Sequence, residues 1–92
     1  MNDAGLLAEC KKGLGMPVNG DTFDGPLNQK VLTVKMYMSN AGVSEEMLAN
    51  DLAVGTIVMG VTDLWNIQGG VIKFSPLFYD FLTQLAIKSG VT

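Results

Sequence analysis

The strongest constraint on the fold of this chain is an apolar stripe with the spacing of an α-helix, between residues 27 and 41. The stripe consists of Leu27, Val31, Val34, Met38 and Ala41, and Leu32 and Met36 are expected to broaden it. Its members lie four or three residues apart, which places them on one side of a helix. Asp24 or Gly25 is expected to cap this helix, Pro26 suits its first turn, and Gly42 ends it.

A second long helix is predicted over residues 51–66, with Asn50 as its cap. Its Val and Ile residues leave a strand conceivable, but the length of the run and its period near 3.6 favour a helix. Gly55 and Gly60 lie in its interior, where a glycine costs about 1 kcal/mol relative to alanine. We therefore expect a neighbouring backbone to approach closely at these glycines, and helix 51–66 to be central.

Two more main helices and one short turn complete the prediction. The first helix runs from about Asp3 to Lys12 and precedes a loop over residues 15–24. Ser44 is expected to cap a short turn or helix from Glu45 to Ala49, and Ser75 to cap the last helix, which Gly90 closes. Residues 1–92 are thus predicted to form a single all-α domain, a small bundle of about four main helices joined by short loops.

The composition indicates that other chains cover part of the surface. Only 16% of the residues are charged, against about 25% in ordinary soluble domains. Hydrophobic residues make up 48% before the 11 glycines are counted, whereas ordinary domains reach about 45–50% with glycine included. Since a small domain has a large surface for its volume, we expect the excess apolar area to be buried by self-association or by partners.

The charge and the hydropathy pattern argue against nucleic acid and membrane as partners. The net charge is −3, the isoelectric point is about 4.5, and the chain contains no arginine and no histidine. Duplex binding requires a basic face, so we expect only passing contact with DNA, without specific binding. The run from Leu52 to Thr62 is too short to span a bilayer, and the first residues lack the features of a signal peptide.

The residue inventory predicts no catalytic site, no metal site and no cofactor. Cys10 is the only cysteine, so it forms no internal disulfide, and it is expected to be structural and at least half-buried. Glu45 and Glu46 point to different sides of a helix and cannot form an acid–base pair. The segment from Gly20 to Gly25 lacks the alternating oxygen ligands of a calcium loop.

Candidate binding residues are mainly aromatic or apolar residues that lie outside the main apolar stripes of the predicted helices. Two roles are open for Trp65. It either anchors the central helix in the core, or it is a hot spot that contributes much of the binding energy of an interface. The loop after this helix and the two chain ends are the expected docking segments. The predicted interface residues are Met36, Tyr37, Trp65, Asn66, Val71, Ile72 and Phe74.

Several short motifs between residues 27 and 86 resemble those of the small head–tail connector proteins of tailed bacteriophages, also labelled DNA-packaging or neck proteins. They comprise an early helix with a tyrosine, an AGV turn, a helix end of the type VxDLWN, and a serine-capped last helix with a closing QL pair. Here these are Tyr37, Ala41 to Val43, Val61 to Asn66, Ser75, and Gln84 with Leu85.

The resemblance implies a structural protein of the virion neck, assembled in the bacterial host cytoplasm. Connectors of this family form a homo-oligomeric ring beneath the portal protein, meet a tail or head-closure protein, and line the channel for DNA. An acidic, arginine-free wall suits such a channel, because it does not hold phosphate groups.

A second hypothesis is a small helical adaptor or a helix–turn–helix transcriptional regulator acting as a dimer. The short Glu45–Ala49 segment between two helices allows that shape. A recognition helix rich in Val, Ile and Gly, and without arginine, argues against it.

Overall fold

Helices account for all the regular structure in the described part of the chain. The computed structural model describes residues 2–67 and 73–90, and within these ranges it contains no strand. The all-α prediction is therefore confirmed. The helices are α1 (Asp3–Gly13), α2 (Asp24–Asn40), α3 (Glu45–Leu48), α4 (Val54–Trp65) and α5 (Pro76–Gly90), and a 3₁₀ turn (Asp51–Ala53) precedes α4.

Helix α4 is central, because α1, α2 and α5 all pack against it. It is shorter than predicted, since residues 51–53 form the 3₁₀ turn instead of a first α-helical turn. Asn50 caps that turn, with its Oδ1 accepting a hydrogen bond from the N–H of Leu52 at 2.9 Å. The Cα atoms occupy 41 × 30 × 17 Å, so the bundle is flat and its helices keep wide outer surfaces.

Three helices approach one another closely at Gly60. A Cβ atom on Gly60 would lie 2.7 Å from Cε1 of Phe78 and 2.8 Å from Cγ1 of Val34. Both neighbours are fully buried, so they have no room to move away. The expected close approach is therefore present at Gly60, but it is made by side chains and not by a neighbouring backbone. The expectation is wrong for Gly55, where a Cβ would meet nothing within 4 Å.

The core lies between α4 and the buried sides of the other helices. Four of the five residues of the predicted α2 stripe are buried, and Ala41 is exposed because it follows the last residue of the helix. Leu32 and Met36 are also exposed, so they do not broaden the stripe. The buried apolar residues are Leu6, Cys10, Leu27, Val31, Val34, Met38, Val43, Ala53, Ile57, Val61, Phe74, Phe78, Leu82 and Leu85.

An ion pair, rather than a side-chain cap, fixes the start of α2. Neither Asp24 nor Gly25 caps the helix: Phe23 occupies the cap position and makes no side-chain cap hydrogen bond. Asp24 lies in the first turn, and its Oδ1 is 2.6 Å from Nζ of Lys11. Lys11 also donates to the carbonyl oxygen of Gly20 at 2.6 Å. This buried lysine therefore ties the loop before α2 to α1.

The predicted serine caps are present. Ser44 Oγ accepts a hydrogen bond from the N–H of Met47 at 3.1 Å, and Ser75 Oγ accepts one from the N–H of Phe78 at 3.3 Å. Gly42, one residue beyond the C-cap Ala41 of α2, has a φ of 106°, a conformation that other residues rarely adopt. Each cap satisfies backbone groups that a helix end otherwise leaves without partners.

Matched alanine substitutions at the two glycines of α4 test this packing. Gly60→Ala places a methyl group against two immobile side chains, and we expect a loss of about 1–3 kcal/mol in the free energy of unfolding. Gly55→Ala meets no neighbour and improves helix propensity, so we expect it to be neutral or stabilising by up to about 1 kcal/mol. Urea unfolding of the monomer, followed by circular dichroism, measures both. Equal stability of the two variants would contradict the close approach at Gly60.

Candidate functional site

The described surface carries large apolar side chains on several separate faces. They are at least partly available to a partner, and most lie on α2 and α5. They are Val18, Phe23, Leu32, Met36, Tyr37, Leu52, Leu77, Tyr79, Phe81 and Ile87. Scattered single residues of this kind are normal, so the informative cases are those in which several of them share one face.

The first such face is the outer face of α2, formed by Leu32 and Met36. These side chains lie one helical turn apart and are 61% and 66% exposed. The next residues in the same helical row, Gln29 and Ser39, are uncharged. Lys35 lies to one side, with its Nζ 3.8 Å from Asp3 Oδ1.

The second face is the α4–α5 groove, lined by Leu52, Gly55, Thr56, Met59 and Phe81. It is a shallow depression of about 200 Å³. Leu52 is 60% exposed, and Phe81 is 37% exposed. None of these five lining residues is charged. Gly55 opens the floor of the groove because it has no side chain.

These two faces point away from each other. Val34 of α2 and Gly60 of α4 meet where the two helices cross. Leu32 and Met36 lie two residues before and two residues after Val34, which places them on the opposite side of α2. Gly55 lies on the exposed side of α4. The chain therefore carries two different apolar faces on opposite sides of one helix pair.

A third feature is the aromatic cluster, formed by Tyr37, Phe74, Phe78 and Tyr79. The rings of Phe74 and Phe78 are stacked, with centroids 4.3 Å apart, and the Tyr37 ring lies 4.9 Å from Phe74. The side chains of Tyr37 and Tyr79 share a hydrogen bond, which is the main reason that the pKa of Tyr37 is raised. Both tyrosines are exposed, whereas the two phenylalanines are buried.

This arrangement corrects the prediction that Phe74 is an interface residue. Its side chain is 3% exposed and belongs to the core, because it stacks on Phe78 beneath the two tyrosines. It can support the position of Tyr37 but offers no surface to a partner. The sequence pattern missed this burial because Phe74 lies outside any helix, where no periodicity reports on burial.

Trp65 packs within its own chain. Its ring meets Phe23 edge-on at 5.6 Å between centroids, and Nζ of Lys30 lies 5.4 Å from the centre of the ring. The side chain is half-buried, so part of it is still available to a partner. Asn66 is exposed and donates from Nδ2 to the carbonyl oxygen of Thr62 at 3.0 Å, which closes the end of α4.

The predicted interface residues that the structure describes do not form one site. Met36 lies on the outer face of α2, while Tyr37 belongs to the aromatic cluster on another side of the same helix. Trp65 lies at the far end of α4. Val71 and Ile72 lie outside the described residues.

Asp63 has a role that the sequence pattern did not indicate. Its Oδ2 accepts a hydrogen bond from the backbone N–H of Ser75 at 2.9 Å. Ser75 in turn caps α5, so this contact fixes the start of α5 against α4. The only hint in the sequence was a single charged residue in an otherwise uncharged helix.

Cys10 is fully buried, as expected for a structural cysteine. Burial raises the pKa of its thiol from 9.0 to about 11, and the carboxylate of Glu9 adds to the shift. A thiol of this kind is a poor nucleophile at neutral pH. Within residues 2–67 and 73–90, no group of three or more His, Cys, Asp and Glu side chains could hold a metal ion.

Comparison with protein-family models, characterised proteins and solved structures found no match to this chain. No helix in the described ranges has the length and apolar character needed to cross a bilayer. The functional argument therefore depends on the surfaces described above.

The burial of Cys10 predicts a loss of stability at high pH. Well below pH 9 the thiol is protonated in both the folded and the unfolded chain, so it has no effect on the pH dependence of stability. Between pH 9 and about 11 only the unfolded chain loses the proton, which lowers the free energy of unfolding. We expect this decrease to be up to about 1.4 kcal/mol per pH unit.

Cys10→Ala is the matched control, since it keeps every other titrating group. Its free energy of unfolding should be lower at neutral pH, because a small cavity forms, but should fall less steeply above pH 9. Urea unfolding at several pH values compares the two slopes. Parallel curves would contradict the buried, protonated thiol.

Proposed function

We propose that this protein is a structural head–tail connector that assembles into a homo-oligomeric ring in the neck of a tailed phage. In this role it links the portal protein beneath the DNA-filled capsid to a tail or head-closure protein, and its ring surrounds the channel for DNA. Assembly would take place in the cytoplasm of the bacterial host. The proposal concerns assembly alone and assigns the chain no catalytic step.

The observation that carries the proposal is the pair of different apolar faces on opposite sides of α2 and α4. A chain that meets its neighbours through two different faces associates head to tail, and such contacts close into a ring when the rotation between neighbours allows it. A two-fold dimer needs only one self-complementary face. The outer face of α2 and the α4–α5 groove are therefore better suited to a ring than to a dimer.

The charge balance supports the same role. The net charge is −3 and the chain contains no arginine, so a ring of many copies carries a strongly negative total charge. Phosphate groups are repelled by such a wall and do not bind to it. DNA can therefore pass through the ring without being held. The resemblance of residues 27–86 to connector proteins points to the same function.

The regulator hypothesis has less support. A recognition helix inserts exposed side chains, usually with basic neighbours, into the major groove. Helix α4 carries no Lys or Arg, and its one charged residue, Asp63, is engaged with Ser75. Helix α3 has only four residues. No described helix offers a basic face for DNA.

Ring formation and portal binding provide the test. We expect native mass spectrometry to find a closed oligomer of one defined size, either in the isolated protein at high concentration or after addition of the portal protein of the same phage. The physical reason is that burial of both apolar faces is complete only in a closed ring. In a gel-shift assay at low salt, we expect no sequence-specific retention of DNA.

Two results would count against this function. A chain that remains monomeric at high concentration and also fails to bind the portal has neither of the proposed contacts. Sequence-specific retention of a DNA duplex would instead favour the regulator.

A further inference from the structure

Residues 17–22, in the loop between α1 and α2, lie on the surface without packing into the bundle. All six residues are exposed, so the segment places no side chain in the core. A cavity of about 140 Å³ lies against it. The residues that line this cavity are Lys11, Met16, Pro17, Gly20, Thr22 and Phe23. Because a cavity separates the segment from other atoms, few dispersion contacts hold it in place.

One buried lysine makes the polar contacts that hold this segment against α1. Nζ of Lys11 lies 2.6 Å from the carbonyl oxygen of Gly20 and 3.4 Å from that of Val18. It also pairs with Asp24 Oδ1 at 2.6 Å. An ammonium group has three protons to donate, so these three acceptors use its full capacity. The other hydrogen bonds of residues 17–22 that the structure describes are turns between residues three apart.

These contacts keep the free energy of opening low. Opening exposes little apolar surface, because the segment buries no side chain. The ion pair adds little net stability, since the desolvation of a buried charge offsets much of its attraction to its partner. Segments with few buried apolar contacts open locally while the rest of a protein stays folded.

We propose that residues 17–22 form a strap that opens and closes while the helix bundle stays folded, with the ammonium group of Lys11 as its latch. The strap belongs to a single chain, and its opening requires neither a ring nor the connector function. Of the six lysines, Lys11 alone is buried. Opening brings its positive charge and the cavity walls to the surface. A partner that binds one form more tightly than the other therefore shifts the strap toward that form.

The reactivity of the Lys11 amine measures how often the strap opens. Brief treatment with acetic anhydride acetylates amines that the reagent reaches, and tandem mass spectrometry gives the extent of labelling at each lysine. Lys88, which is exposed on α5, is the reference. We expect Lys11 to react roughly 10-fold or more slowly than Lys88, because it reacts only while the strap is open.

Gly60→Ala separates local opening from unfolding of the whole chain. This change destabilises the bundle and leaves every contact of the strap in place. Labelling of Lys11 through global unfolding would increase roughly 5- to 150-fold for the loss of stability expected above, whereas labelling through the strap should not change. Low concentrations of urea provide the same comparison in the unmodified chain.

A matched pair of variants tests the latch itself. Asp24→Asn removes the charge that pairs with Lys11 and keeps the shape of the side chain. We expect labelling of Lys11 to increase roughly 10-fold relative to Lys88, because charge-assisted hydrogen bonds are about twice as strong as neutral ones. Glu9→Gln removes the same charge from a carboxylate that pairs with Lys12 at 3.3 Å, and it should leave Lys11 unchanged. Circular dichroism and thermal unfolding check that both variants are folded.

Three outcomes would overturn the strap. In the first, Lys11 reacts as fast as Lys88 in the unmodified chain, so no latch holds it. In the second, labelling of Lys11 follows global stability in Gly60→Ala or in urea, so the segment opens only with the bundle. In the third, Asp24→Asn and Glu9→Gln label Lys11 equally fast. None of these results affects the connector proposal, which native mass spectrometry tests separately.

Discussion

The absence of a side chain at residue 60 is the constraint on which the rest of the structure depends. It allows Val34 of α2 and Phe78 of α5 to reach α4 at the same level, so three helices share one contact point. A core this thin cannot bury every side of each helix. Helix α4 uses most of its circumference for packing, whereas α2 uses one side only. The exposed apolar residues of α2 are a direct consequence of that geometry.

Polar contacts hold the outer elements to this centre. Lys11 joins α1 to the loop before α2 through Asp24 and the carbonyl oxygen of Gly20, and Asp63 holds the start of α5 through the N–H of Ser75. Each contact pairs a charged side chain with a backbone group or an opposite charge, and such bonds are stronger than neutral ones. They fix the start of α5 against α4 and the loop before α2 against α1.

The sequence predicted the elements of the fold well and the surfaces less well. Periodicity and capping identified α2, α4 and the serine caps, because these signals are local. The exposure of Leu32 and Met36 was not predictable in this way, since α2 has apolar residues on two sides and only its neighbours decide which side is buried. The Lys11–Asp24 pair and the burial of Phe74 likewise depend on contacts between distant segments.

The opposed faces of α2 and α4 have a geometric consequence for assembly. In a ring built through these faces, the angle at which α2 crosses α4 determines how far each subunit is rotated relative to the next, and thereby the curvature and diameter of the ring. At that crossing, the side chain of Val34 lies against the bare backbone at Gly60. The width of the central channel would then depend on one helix crossing inside the subunit, away from the contacts between subunits.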